Sequence, residues 1–131
     1  MLNQSLKKQE RLHSKKHIKE LFSEGKSFFI YPFKVVYKNI HQENGAPVQI
    51  LPSVSKRKIK SAVKRNRVKR LIREAYRKNK SALFEAESGK EGTLLIGFVY
   101  VADTIMDYHQ LEKKIILILQ RLKSRYEKGD R

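Results

Sequence analysis

Residues 53–77 read SVSKRKIKSAVKRNRVKRLIREAYR, and the second half of this stretch has the spacing of a helix packed on one side. An α-helix turns by about 100° per residue, so with Val68 as origin Leu71, Ile72, Ala75 and Tyr76 fall within about 80° of it. They make an apolar face. Asn66, Lys69, Arg70, Arg73 and Arg77 fall on the adjoining arc, between about 100° and 200°. Arg67 and Lys78 lie beyond that arc beside Glu74, and Arg65 lies at the apolar edge if the helix already runs there. One long helix is expected over residues 59–80, with a core face and a cationic stripe.

Charge is concentrated in the same place. Of the +17 net charge, +12 lies in residues 56–80, which hold thirteen Lys and Arg, Lys56 and Arg57 among them, against the single acid Glu74. A charge run is ordinarily a solvated helix face. Here the arc lacks acidic partners one turn away, apart from Glu74 at its margin, and unpaired like charges at that spacing destabilise a helix. A polyanion supplies the missing counter-charge, and nucleic acid is the usual one. Arginine, which forms forked contacts to phosphate, dominates the stripe.

Working outward, Ser14 is placed to cap a helix over residues 15–24, with Gly25 as its stop and Ile18, Leu21 and Phe22 on one face. A short aromatic strand is expected over 27–30, interrupted by Pro32. Residues 33–38 alternate, with Phe33, Val35 and Tyr37 facing one way and Lys34, Val36 and Lys38 the other. Asn44-Gly45 marks a turn, and 48–55 is the return strand, with Pro52 pointing to an edge or bulge. Residues 81–92 read as a connector. The apolar run 93–101 suits a buried strand. Asp107 and Gln110 form a capping-box pattern opening a last helix, with Leu111, Ile115, Ile118, Leu119, Leu122 and Tyr126 on one face. The order helix, three strands, helix, strand, helix gives an α+β or split α/β sandwich with one sheet.

The chain of 131 residues predicts a single domain, with residues 1–10 as a flexible basic arm and 127–131 as a flexible tail. It has no cysteine, hence no disulfide framework and no thiolate metal site. His13, His17, His41 and His109 show no ligand spacing. Residues 1–16 lack an apolar signal-peptide core, and the longest apolar run, 94–102, falls far short of the ~20 residues that span a bilayer. A cytoplasmic location without membrane attachment is expected. No phosphate-binding glycine loop, metalloprotease motif or carboxylate pair appears, so no catalytic residue is assigned. The aromatics Phe22, Phe28, Phe29, Tyr31, Phe33 and Tyr37 suit a core, and also suit a surface that stacks bases beside a basic groove.

The stretch 53–77 closely resembles the signature of the bacterial ribonuclease P protein subunit. The matching residues are Val54, Ser55 and Lys56, then Ala62 and Val63, then Arg65, Asn66, Arg67, Lys69, Arg70, Arg73, Glu74, Ala75 and Tyr76. The resemblance extends over about residues 11–126. It implies a ribosomal protein S5 domain 2-like αβββαβα sandwich, with a four-stranded sheet and a left-handed βαβ crossover through the basic helix. It implies a protein cofactor of a ribonucleoprotein whose RNA subunit is catalytic and largely holds the Mg²⁺ ions that drive hydrolysis. The partners implied are that catalytic RNA and the 5′ leader of precursor tRNA, held in a cleft between the basic helix and the sheet, with no obligate protein partner. Carried onto this chain, Arg65, Asn66, Arg67 and Arg70 contact the catalytic RNA, and Lys69 and Arg73 meet the leader. Ile18, Phe22, Phe33, Val36 and Tyr37 are the cleft-wall candidates, and which face of strand 33–38 lines the cleft is left open. Ile18 stands where the family often has an aromatic residue, and Lys60 where it often has glycine. The rival readings are a general ribosomal or structured-RNA-binding module, and a duplex-DNA binder, which the strand-rich surroundings of the helix disfavour.

Overall fold

The computed structural model describes residues 6–42, 45–88 and 90–125. A 3-10 turn at Lys8–Glu10 precedes α1 (Lys15–Glu24), β1 (Lys26–Ile30), β2 (Phe33–Ile40), β3 (Val48–Val54), α2 (Ala62–Asn79), α3 (Ser81–Ser88), β4 (Thr93–Tyr100) and α4 (Tyr108–Ser124). The four strands form one mixed sheet in the order β1-β2-β4-β3. The β1–β2 and β2–β4 pairs are antiparallel, and β3 runs parallel to β4. The α+β architecture expected from the sequence is observed, with α3 added.

Alternation along the strands divides the core in two. Phe33, Val35 and Tyr37 of β2, with Leu94, Ile96, Phe98 and Tyr100 of β4 and Val48, Ile50 and Val54 of β3, pack against α2, α3 and α4. Val36 and Ile40 of β2 and Leu95 of β4 face the opposite way, toward Leu12 and Leu21, with Ile18 beside them. The molecule is therefore a three-layer sandwich, with α1 on one face of the sheet and the basic helix on the other. The run 93–100 is buried along almost its whole length because both layers cover it. Pro52 is tolerated because β3 is an edge strand, whose outer side is met by a single bridge from Arg11 to Ile50 and not by a strand.

The helix ends follow the local chemistry. The Ser14 hydroxyl accepts from the His17 N–H and the Ser61 hydroxyl from the Lys64 N–H. Ser61 thus starts α2 three residues later than the apolar periodicity from Ile59 suggests, and Ile59 belongs to the preceding turn. Asp107 caps α4 through the His109 N–H at 3.2 Å. Gly25 ends α1 with an ordinary φ of −71°, and its glycine requirement is crowding, since a Cβ would lie 2.4 Å from the Leu21 carbonyl oxygen.

Two expectations are corrected. The connector 81–92 contains a helix. Lys80 keeps right-handed helical geometry at the end of α2, the Phe84 N–H donates to its carbonyl, and Leu83 is buried in the main core. The basic arm is tied down from Leu6 onward, where this residue packs on the core and Glu10 is buried. The Leu12 N–H donates to the Ile50 carbonyl on the free edge of β3, and the Glu10 carboxylate meets Lys80 Nζ at 2.7 Å. Residues 1–5, Asn44, Tyr126 and the tail 127–131 lie outside the described residues.

Gly92, ahead of β4, has φ +91°, and a Cβ there would lie 2.3 Å from the Ile40 carbonyl oxygen. Gly92→Ala is expected to destabilise the fold by about 1–3 kcal/mol, the range for a non-glycine residue forced into a sparsely populated backbone region. Urea unfolding checks this, and an unchanged midpoint contradicts it.

Candidate nucleic-acid interface

The turn between β3 and α2 is built by three side chains. The Ser55 hydroxyl accepts from the Arg57 N–H at 3.2 Å, and Ile59 is buried as an anchor. Arg65 reaches back and donates to the Ile59 and Lys60 carbonyls at 2.9 and 2.7 Å. Lys60, standing in place of the expected glycine, therefore contributes a carbonyl to this clamp. Lys56, Arg57 and Lys58 project from the turn into solvent.

Along α2, Val68, Ile72, Ala75 and Tyr76 are buried as the periodicity requires. The cationic residues then divide into three groups. Arg77 is committed to Glu74 in a two-point contact, its Nε donating at 3.3 Å, and Lys78 Nζ lies 3.7 Å from the same carboxylate. The Arg77 hydrogen bond holds the Glu74 carboxyl below its usual range. Asn66, Arg67 and Arg70 are exposed, and Lys69 and Arg73 are half-buried, Arg73 on the side where Arg11 lies. Among the described residues, no acidic side chain forms an ion pair with Arg67, Lys69, Arg70 or Arg73. Burial, then the nearby charge of Arg11, lowers the Arg73 pKa. Two cations held near each other in this way favour an anion between them.

The opposite face of the sheet carries a trough beside α1. The register places Ser27, Val36, Gly97 and Leu51 in one row across the four strands, and Phe29, Lys34, Val99 and Ser53 in the next. The Phe22 ring lies over Gly97, with its edge 3.3 Å from where a Cβ would stand, and remains 45% exposed. A side chain at position 97 would require that ring to shift by a few tenths of an ångström. Glu20 and Glu24 lie 3.8 and 3.9 Å from Lys38, so the carboxylates of α1 gather at one end of the trough.

These placements sort the residues expected at the site. Ile18, Phe22 and Val36 come together on the α1 face of the sheet. Phe33 and Tyr37 do not join them. Phe33 is fully buried between Phe98 and Tyr100, and Tyr37 packs on Phe28 in the main core. The expected cleft between the basic helix and the sheet is filled by this core, because the apolar face of α2 must be buried against the sheet for the helix to dock at all. Arg65 and Arg77, read as RNA contacts, are engaged within the protein. Arg11 joins the cationic surface unforeseen. Its signal in the sequence is slight, because its position depends on Glu10 and Lys80, seventy residues apart, meeting in the interior. Among the described residues, no three of His, Asp and Glu come together as a metal-holding group.

The family model for ribonuclease P matches residues 6–123. A ribonuclease P protein component from Porphyromonas gingivalis is 40% identical over 117 residues, covering 89% of this chain and 85% of that protein. One from Listeria innocua is 34% identical over 115 residues, covering 88% and 89%. The solved ribonuclease P protein from Thermotoga maritima superposes with a TM-score of 0.67 at 23% identity, over 86% of this chain and 96% of that one. The protein from Staphylococcus aureus gives 0.65 at 22%, over 87% and 95%. At these identities the two structures bear on the fold.

Proposed function

Since the chain belongs to the ribonuclease P protein component family, we propose that it is the cofactor that binds the catalytic RNA and the 5′ leader of precursor tRNA in the cytoplasm. The observation that carries this reading is the row Arg67, Lys69, Arg70 and Arg73, with Arg11 beside it, which has no internal counter-charge among the described residues. Phosphates of the RNA provide that charge, and Asn66, Lys56 and Arg57 extend the contact surface. Leader nucleotides lie in the trough on the α1 face, along Ile18, Phe22 and Val36. The hydrolytic centre belongs to the RNA in this reading, and the RNA largely holds the Mg²⁺. The protein contributes charge neutralisation and positioning of a single strand, and acts without an obligate protein partner. Among the described residues no helix is long and apolar enough to cross a membrane.

The test is cleavage of precursor tRNA by the cognate RNA at low Mg²⁺, with and without the protein. Large stimulation with a correct mature 5′ end is expected, and the protein alone is expected to be inert. A folded, RNA-binding protein that gives no stimulation would instead be a general structured-RNA-binding module.

A further inference from the structure

The α1-face trough does not end at Phe22. Its last row carries Phe29 on edge strand β1, directly paired with Lys34 of β2. Phe29 and Tyr31 are 56% and 54% exposed, among the most exposed large apolar side chains of the molecule. Their ring centroids lie 6.3 Å apart. The register explains why the neighbouring Phe28 is different, since it points to the other face and packs on Tyr37. Two solvent-facing aromatics side by side on a sheet edge are costly to leave in water and need an occupant.

Charge decides which occupant. Lys34 is exposed next to Phe29, and among the described residues no acidic side chain forms an ion pair with it. The acids of this face sit at the far end with Lys38. An apolar ring pair beside an unneutralised ammonium suits an unpaired nucleotide, whose base stacks while its phosphate meets the cation. A protein partner would gain the apolar contact and leave Lys34 unmatched. Phe29 and Phe22, which lies over β4, are separated by two strand spacings, about 10 Å, along a continuous surface.

We propose that Phe29, Tyr31 and Lys34 form a second stacking station for single-stranded RNA, which takes a leader nucleotide other than the one at Phe22. This rests on the reading that the trough holds the leader. It also accounts for how this chain grips a single strand with Ile18, rather than an aromatic residue, on its first helix.

The experiment measures affinity of the assembled ribonucleoprotein for precursor tRNAs whose leaders are shortened one nucleotide at a time. The wild type is expected to lose affinity in steps. Phe29→Ala with Tyr31→Ala is expected to weaken the longest-leader substrate by about ten-fold and to erase one step, because stacking on an aromatic side chain is worth that much per base. Phe29→Tyr, which keeps the ring, restores the step. If the double variant follows the wild type at every length while loss of the α2 cations still weakens RNA binding, this inference fails and the proposed function stands. If the wild type shows neither leader dependence nor cation-dependent RNA binding, the proposed function fails and takes the station with it. A double variant that changes only the sedimentation state marks the patch as a contact between copies of the chain and overturns the proposal.

Discussion

Replacing Arg67, Lys69, Arg70 and Arg73 together by alanine is expected to lower affinity for ribonuclease P RNA by on the order of 10³-fold, since each charge-assisted phosphate contact contributes about 1.5–3 kcal/mol and the four are not fully additive. The plot of log affinity against log salt should flatten by roughly three to four units, because each lost phosphate contact releases one counterion fewer. The same variant should unfold at an unchanged or higher temperature. None of the four pairs with an acid among the described residues, and relieving like-charge repulsion favours a helix. Weakened binding with preserved stability separates a ligand surface from a structural one. Filter binding across a salt series, with a thermal melt of each variant, reads both quantities. An unchanged salt slope means that the stripe does not meet phosphate.

The second large effect concerns stability alone. Lys80 and Glu10 form an ion pair at 2.7 Å with side chains only 7% and 4% exposed. Removing one member of a buried pair leaves the other charged and unpaired, and typically costs about 3–5 kcal/mol. Lys80→Met is therefore expected to remove a large part of the roughly 5–15 kcal/mol that holds a domain of this size. The double change Lys80→Met with Glu10→Gln should recover most of the loss, because no net charge then remains buried. Burial and the Glu10 carboxylate both raise the Tyr76 pKa, so its hydroxyl stays protonated beside the pair. Urea unfolding of the two single variants and the double variant closes the cycle. A loss in the double variant equal to the sum of the two single losses means that the charges are not coupled.

Local pattern revealed most of the fold. The Ser14 and Asp107 caps, the Pro32 break, the alternation in β2 and the continuous apolar run of β4 each act through near neighbours, and all are observed. The core face of α2 follows from its period alone. Features that depend on distant residues were not legible. Helix α3 is two turns long and has only a weak amphipathic period, and what holds it is Leu83 in the core together with the Glu87–Arg125 pair, formed across 38 residues at 3.0 Å. The arm depends on Lys80 in the same way. At the interface the identities of the cations were legible, but their partners were not. Arg65 and Arg77 look like Arg67 and Arg70 in sequence, and only the fold shows that the former are occupied with Lys60 and Glu74. The wrong placement of the cleft had the same origin, since alternation shows that a strand has two faces without showing which helix covers each.

The position of β4 in the sheet sets the order in which the chain can mature. It is the last strand to be synthesised, yet it is the central partner of both β2 and β3. Until residue 100 has left the ribosome, β3 has no strand to pair with and only the β1–β2 hairpin can close. A single hairpin is marginal in water. The nascent chain thus spends most of its synthesis as an open, strongly cationic polymer, with the basic segment 56–80 emerging before the sheet that later backs it. Self-repulsion keeps such a chain apart from its copies, and the sheet has its central member only once this one apolar strand is in place.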